Sequence, residues 1–272
     1  MRRILGLVGG LLVAVMAVGC ATTTDGEDAQ DQEGAASTSS LRAVDIIVSA
    51  KKTGENYEGR AYPVDDVDED GRTELYNAPV YYVYIDGTDA NGKKVRKEYK
   101  APRYMPYNNP AGPRYHSDYS TKGFVTAGLS NVPRQAVPNY KKDYEVHNRY
   151  SPYGGAIVVK GSFYIHAGPE SVDDFGWGSA GCVEIIGSFD EFKKDILTLA
   201  GSASANGDSK ALHDGIGSLV SARKLFVTYE NAARPNLKAM LSRQVSDDQM
   251  AFNDTNNDSP ADPTEPGTAL AH

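Results

Sequence analysis

Cys182 and His166 are the two side chains whose types and spacing could carry covalent chemistry, within FYIHAGPESVDDFGWGSAGCVEIIG, residues 163 to 187. A thiol attacks as its thiolate, which calls for a base within hydrogen-bond reach, an electropositive pocket and backbone donors for the oxyanion that develops. Gly181 lets the backbone turn, so the amides of Gly181 and Cys182 are the expected donors. Two positions beyond the nucleophile stands Glu184, which on a strand shares its face and so reaches the same pocket. A carboxylate there suits an amine of the substrate, with an ion pair to a local Lys or Arg as the plainer alternative. Trp177, between base and nucleophile, has three readings: a lid, a pocket wall that contacts substrate, or a loop anchor.

The elements that must position these groups are mostly strands. VDIIV (44 to 48), VYYVYID (80 to 86), KVRKEY (94 to 99), GFVTAG (123 to 128), AIVVK (156 to 160), SFYIHA (162 to 167), CVEII (182 to 186) and KLFVTY (224 to 229) are rich in β-branched and aromatic residues and bounded by turn formers. DANG (89 to 92) predicts a hairpin turn. Ser188 with Glu191 makes a capping box for a helix carrying Phe189, Phe192, Ile196 and Leu199, and a weaker helix covers Lys210 to Arg223, interrupted by Gly215 and Gly217. The pattern predicts a mainly β domain with one or two short helices, in which His166 ends one strand and Cys182 begins the next across a mobile loop.

Outside that domain the composition changes. Residues 1 to 19 have a basic start, MRR, then an uncharged run from Ile4 to Gly19, and are read as a targeting segment. Residues 20 to 40 hold acids without a base and no large apolar residue, which predicts a disordered tether. The folded domain is expected over 41 to 242, and 243 to 272, rich in Asp, Asn and Pro, is expected as a disordered tail. A formal net charge of -8 without a basic stripe argues against a nucleic-acid partner. DVDEDG (66 to 71) begins like a calcium loop, but Asn77 stands where a bidentate Glu belongs, so a solvated acidic turn is the reading. His116, His147 and His213 have no zinc-ligand spacing with one another or with Cys182, and no metal is implied.

Two resemblances join these observations. AVGC at the end of the leader resembles the lipoprotein signal of bacteria, which implies cleavage before Cys20, acylation of that residue and anchoring of an exported protein in a membrane of the cell envelope. His, a loop, then Ser-x-Gly-Cys resembles the signature of the L,D-transpeptidase catalytic domain, cysteine enzymes that remodel bacterial peptidoglycan on a small β-sandwich or barrel-like fold. That resemblance implies Cys182 as nucleophile, His166 as base, Ser179 as support for the loop, Gly181 as the glycine before the nucleophile, peptidoglycan stem peptides as substrate and no cofactor. TKGFVTAG (121 to 128) is loosely similar to an earlier strand of that domain. The family usually has a second His where this chain has Ala180, and Arg or Asn where it has Glu184. An amine acceptor makes such chemistry a transferase reaction, and water makes it a hydrolase reaction, as in a carboxypeptidase or amidase. The differing class is a non-catalytic, wall-associated lipoprotein that keeps the fold.

Overall fold

Period-two alternation over short β-branched runs is what builds this molecule, and its computed structural model is mainly β with a few short helices. It describes residues 41–63, 65–108, 124–126, 128–144, 153–236 and 240–250. All of them lie in the second of two units into which the chain divides, Thr38–His272. The expected leader, the acylated Cys20 and the tether lie outside the described residues, as do His116 and His147. Among the described residues, no helix is long and apolar enough to cross a membrane.

The largest sheet is centred on two long strands, β1 (Val44–Arg60) and a third strand, β3 (Thr73–Thr88), which pair antiparallel. The register of that pair shifts at Lys52, so both strands bend. Between them in sequence lies the short β2 (Tyr62–Pro63). The other edge of β3 is shared: β4 (Lys94–Pro102) pairs with its carboxyl-terminal half, and β13 (Leu241–Val245) with its amino-terminal end. The β3–β4 hairpin turns where DANG predicts it, with the Asp89 carboxylate accepting from the amides of Asn91 and Lys93, each at 2.9 Å. On the far side β1 pairs in parallel with β12 (Leu225–Tyr229), which pairs antiparallel with β7 (Val132–Ala136). A small sheet joins β2 to β5 (Pro106–Asn108) and β6 (Phe124–Thr126).

The sheet that positions the reactive groups has four strands in the order β11 (Val183–Ile185), β10 (Phe163–Ala167), β9 (Ala156–Lys160) and β8 (Tyr140–Lys141). Its β10–β11 pair is parallel and the others are antiparallel. One face of it, with Ile157, Val159, Ile165, Val183 and Ile185, joins Val44, Ile46, Val83, Ile85, Leu225 and Val227 of the large sheet in one core. The helices α1 (Phe189–Ala200) and α2 (Ser209–Ser221) add Phe189, Phe192, Ile196, Ile216 and Leu219 to that core. Ser188 caps α1 as the capping box predicts, its hydroxyl accepting from the Glu191 amide at 3.2 Å.

Two expectations are corrected here. The predicted tail from 243 begins too early: Arg243, Gln244 and Val245 pair with β3, and Val245 and Met250 are buried against Leu75. The sequence LSRQV is polar because it is an edge strand, not because it is unstructured. Nor is the loop after β10 held only at its ends. Gly176 donates to the Glu58 carbonyl at 2.9 Å, Trp177 to the Tyr57 hydroxyl at 3.0 Å, and Arg60 to the Trp177 carbonyl at 3.1 Å, which stitches the loop to β1.

Candidate active site

Alternation along β9, β10 and β11 divides the four-stranded sheet into two faces. Ile165 pairs with Val183 and points to the core, so their neighbours His166 and Glu184, themselves paired in register, point the other way. Tyr164 and Cys182 share that second face and pack with Val158 and Ala156. Tyr144, just after β8, covers it, its ring 5.4 Å from that of Tyr164 and 5.2 Å from the His166 imidazole. The structure therefore places Cys182, His166 and Glu184 on one buried face, with Ser179 acting on Glu184. Cys182 is 5% exposed, His166 1% and Glu184 0%.

The chemistry of each group follows from its surroundings. His166 Nδ1 lies 2.7 Å from the Ala167 carbonyl, which can only accept, so Nδ1 carries a proton and Nε2 is the basic nitrogen of the neutral ring. The Cys182 thiol donates to the Ser162 carbonyl at 3.8 Å. Burial pushes the thiol up to about 12; the Tyr164 backbone amide and the Lys141 charge oppose that, and the Glu184 charge adds to it. Loss of water around sulfur thus outweighs the donors near it in this closed arrangement. Burial likewise pushes the Glu184 carboxyl up to about 7, with the His166 charge and the Ser179 hydroxyl holding it down in part.

Two residues expected at the substrate are enclosed in this structure. Trp177, 4% exposed, packs with Tyr57, Ala78, Val80 and Met105, and so takes the loop-anchor role of the three read from sequence. Glu184 is fully buried, and the His166 charge acts on its carboxyl. Ser179 is buried, and its hydroxyl lowers the Glu184 carboxyl. Gly181 has φ 93°, the left-handed region its glycine was expected to allow.

Sequence reasoning passed over Tyr57, Lys141, Tyr144 and Tyr164. Tyr164 was within reach, since it alternates with His166 in SFYIHA. Lys141, whose Nζ stands 4.5 Å over the Tyr164 ring, lies on a two-residue strand that leaves no periodic signal. Tyr57 comes from a part of β1 without strand composition, and its phenol is raised well above its ordinary range, first by burial and further by the Glu184 charge. Of TKGFVTAG, residues 124 to 126 form β6, and a Cβ added at Gly128 would lie 3.0 Å from the Arg103 carbonyl and 3.5 Å from the Gly181 carbonyl.

Elsewhere, the acidic turn is more compact than a solvated loop. The carboxylates of Asp66, Asp68, Asp70 and Glu74 lie within 4.8 Å of one another, and the Gln244 amide donates to Asp68, Asp70 and Glu74 at 3.4, 3.3 and 3.1 Å. Glu74, rather than the residue at Asn77, closes that group. His213 has a structural setting, its Nδ1 2.9 Å from both the Tyr140 hydroxyl and the Tyr153 carbonyl. Compared with known proteins, the chain matches no family model, no curated protein and no solved structure.

Proposed function

We propose that this chain is a cysteine acyltransferase of L,D-transpeptidase type, acting on peptidoglycan stem peptides. The observation that supports the reading is the shared sheet face: the nucleophile and base expected from the sequence sit on the same side of adjacent parallel strands, walled by Tyr144 and Tyr164. In this reaction the S–H bond of Cys182 breaks as an N–H bond forms at His166 Nε2. The thiolate attacks a stem-peptide carbonyl, the C–N bond to the leaving amine breaks, and His166 returns its proton to that amine. Amides near Gly181 and Cys182 face the oxyanion. An incoming amine then takes the acyl group from sulfur and completes a cross-link, whereas water releases it as a carboxypeptidase or amidase would. Such chemistry needs no cofactor, and acylation at Cys20 would hold the domain at the cell envelope.

A burial argument favours one second reading. A thiol pushed up to about 12 is a poor nucleophile until the site opens, which suits a non-catalytic, wall-associated lipoprotein that keeps the fold. Mass spectrometry of stem peptides incubated with the purified chain separates the two. The enzyme reading expects a peptide adduct on Cys182 and a shortened or cross-linked product, both absent from Cys182→Ala. Peptides unchanged by either protein favour the second reading. For the anchor, Cys20→Ser is expected to move the protein from the membrane to the soluble fraction, and unchanged partition overturns the lipoprotein assignment.

A further inference from the structure

The buried carboxyl of Glu184 has an unusual place for a side chain in a β-sheet. It is fully buried, yet it stands in register with an imidazole on the adjacent strand rather than with hydrocarbon. Its stem is held tightly: a Cβ added at Gly168 would lie 2.9 Å from the Glu184 Cβ and 2.8 Å from the Ile185 carbonyl. Glycine at that position lets the backbone after β10 close on the backbone and Cβ of Glu184.

The groups around it narrow what the carboxyl can do. The Tyr57 phenol on β1 feels the charge of Glu184 as well as those of Arg60 and Asp174; Ser179 in the loop and His166 on β10 act on the carboxyl itself, and Cys182, just before β11, feels both Glu184 and Lys141. Tyr57 is raised well above its ordinary range and Cys182 up to about 12, both chiefly by burial, so neither gives up a proton readily near neutrality. The imidazole, in register across the strand pair, is a group whose charge acts directly on this carboxyl. The register also sets the order of the three: Glu184 lies opposite His166, whereas Cys182 lies two positions back along the chain, beside Tyr164. A negative charge on Glu184 therefore acts more strongly on the ring than on the sulfur.

We propose that Glu184 is the positioning residue for His166, its carboxylate pairing with the imidazolium that forms when Cys182 loses its proton. Without a partner, moving a proton from a buried thiol to a buried ring creates two desolvated charges; with Glu184 ionised, the new cation is paired as it forms. The atoms balance within the three groups: the proton leaves sulfur, is bound at Nε2, and Nδ1–H stays on the ring. This inference rests on reading Cys182 and His166 as nucleophile and base, but not on the identity of the acyl substrate.

The test is the pH profile of Cys182 alkylation by iodoacetamide in the folded, full chain, read by mass spectrometry for wild type, Glu184→Gln, Glu184→Asp, His166→Ala and the double variant. Wild-type alkylation is expected to rise through a transition near pH 7, where Glu184 ionises. Glu184→Gln loses that transition and slows alkylation at pH 8 by about tenfold to a hundredfold. Glu184→Asp keeps the transition with a smaller slowing, which makes the result independent of whether the Gln variant folds. In the His166→Ala background, Glu184→Gln is expected to cause no further slowing, since the Glu184 charge on its own holds the thiol up. A wild-type profile in Glu184→Gln, an equal effect with and without His166, or a folded wild type that is never alkylated overturns the proposal. Stem-peptide turnover is a separate readout: its absence beside the expected profile overturns the substrate reading and leaves the role of Glu184 standing.

Discussion

The two faces of the four-stranded sheet are made by the same strands and have opposite characters. Ile157, Val159, Ile165, Val183 and Ile185 present hydrocarbon to the core, while Tyr164, His166, Cys182 and Glu184, alternating with them, present a thiol, an imidazole and a carboxyl. Both faces are buried, so exposure does not distinguish them. The difference is in what each needs from its neighbours: hydrocarbon needs only to be filled at crystal-like density, whereas each buried polar atom needs a partner in the right direction. A slip of one residue in β10 or β11 would exchange the faces, and the apolar one is what forbids it.

Three substitutions test that difference, beginning with the largest expected effect. Ile165→Ala removes a fully buried side chain from the core face and is expected to lower unfolding free energy by about 2 to 5 kcal/mol, against at most about 1 kcal/mol for Cys182→Ala on the other face. Urea midpoints of the two variants check it, and equal losses would erase the contrast.

Glu184→Gln tests the polar face with a pH dependence. The folded carboxyl is held at about 7 from an ordinary 4.5, so the native state prefers it protonated. The stabilisation due to that preference is complete below about pH 4.5 and is lost as pH rises through 7. Replacing the group by a neutral amide is therefore expected to leave stability nearly unchanged at pH 4 and to raise it by up to about 3 kcal/mol at pH 8. Denaturant titrations at the two values decide the sign. A gain in stability together with slower thiol chemistry would show a buried charge retained against the interest of the fold.

Gly168→Ala sharpens the comparison at the point where the faces meet. The added methyl presses on backbone atoms of Glu184 and Ile185 that cannot yield cheaply, and a loss of about 1 to 3 kcal/mol is expected, measured by thermal unfolding. Ala accommodated without loss would mean that the backbone above Glu184 is free to shift.

Much of this arrangement was legible in the residues themselves. The alternation in SFYIHA and CVEII placed Glu184 on the side of Cys182, and the capping box at Ser188 located α1. What the sequence could not convey was what covers each face. Beyond Val48, β1 runs through KKTGENYEGR, residues with low strand preference held extended by pairing with β3, and it is this extension that brings Tyr57 over Glu184 and fixes Trp177. Gly215 reads as an interruption of α2, yet a Cβ there would stand 2.9 Å from Leu197, so the glycine is where α2 comes close to α1. Local propensity identifies a strand or a breaker, but burial of the site depends on contacts distant in sequence.

The parallel pairing of β1 with β12 bears on how the chain reaches this state. Val44 pairs with Leu225, so the first strand to be synthesised waits for one made roughly 180 residues later, about 10 to 35 s at usual rates of elongation. During that interval β3 can occupy one edge of β1, while the other displays the amides and carbonyls of VDIIV with no strand to receive them. Closure of the large sheet is consequently a late, long-range event, and the nascent protein is most exposed to mispairing just before β12 arrives.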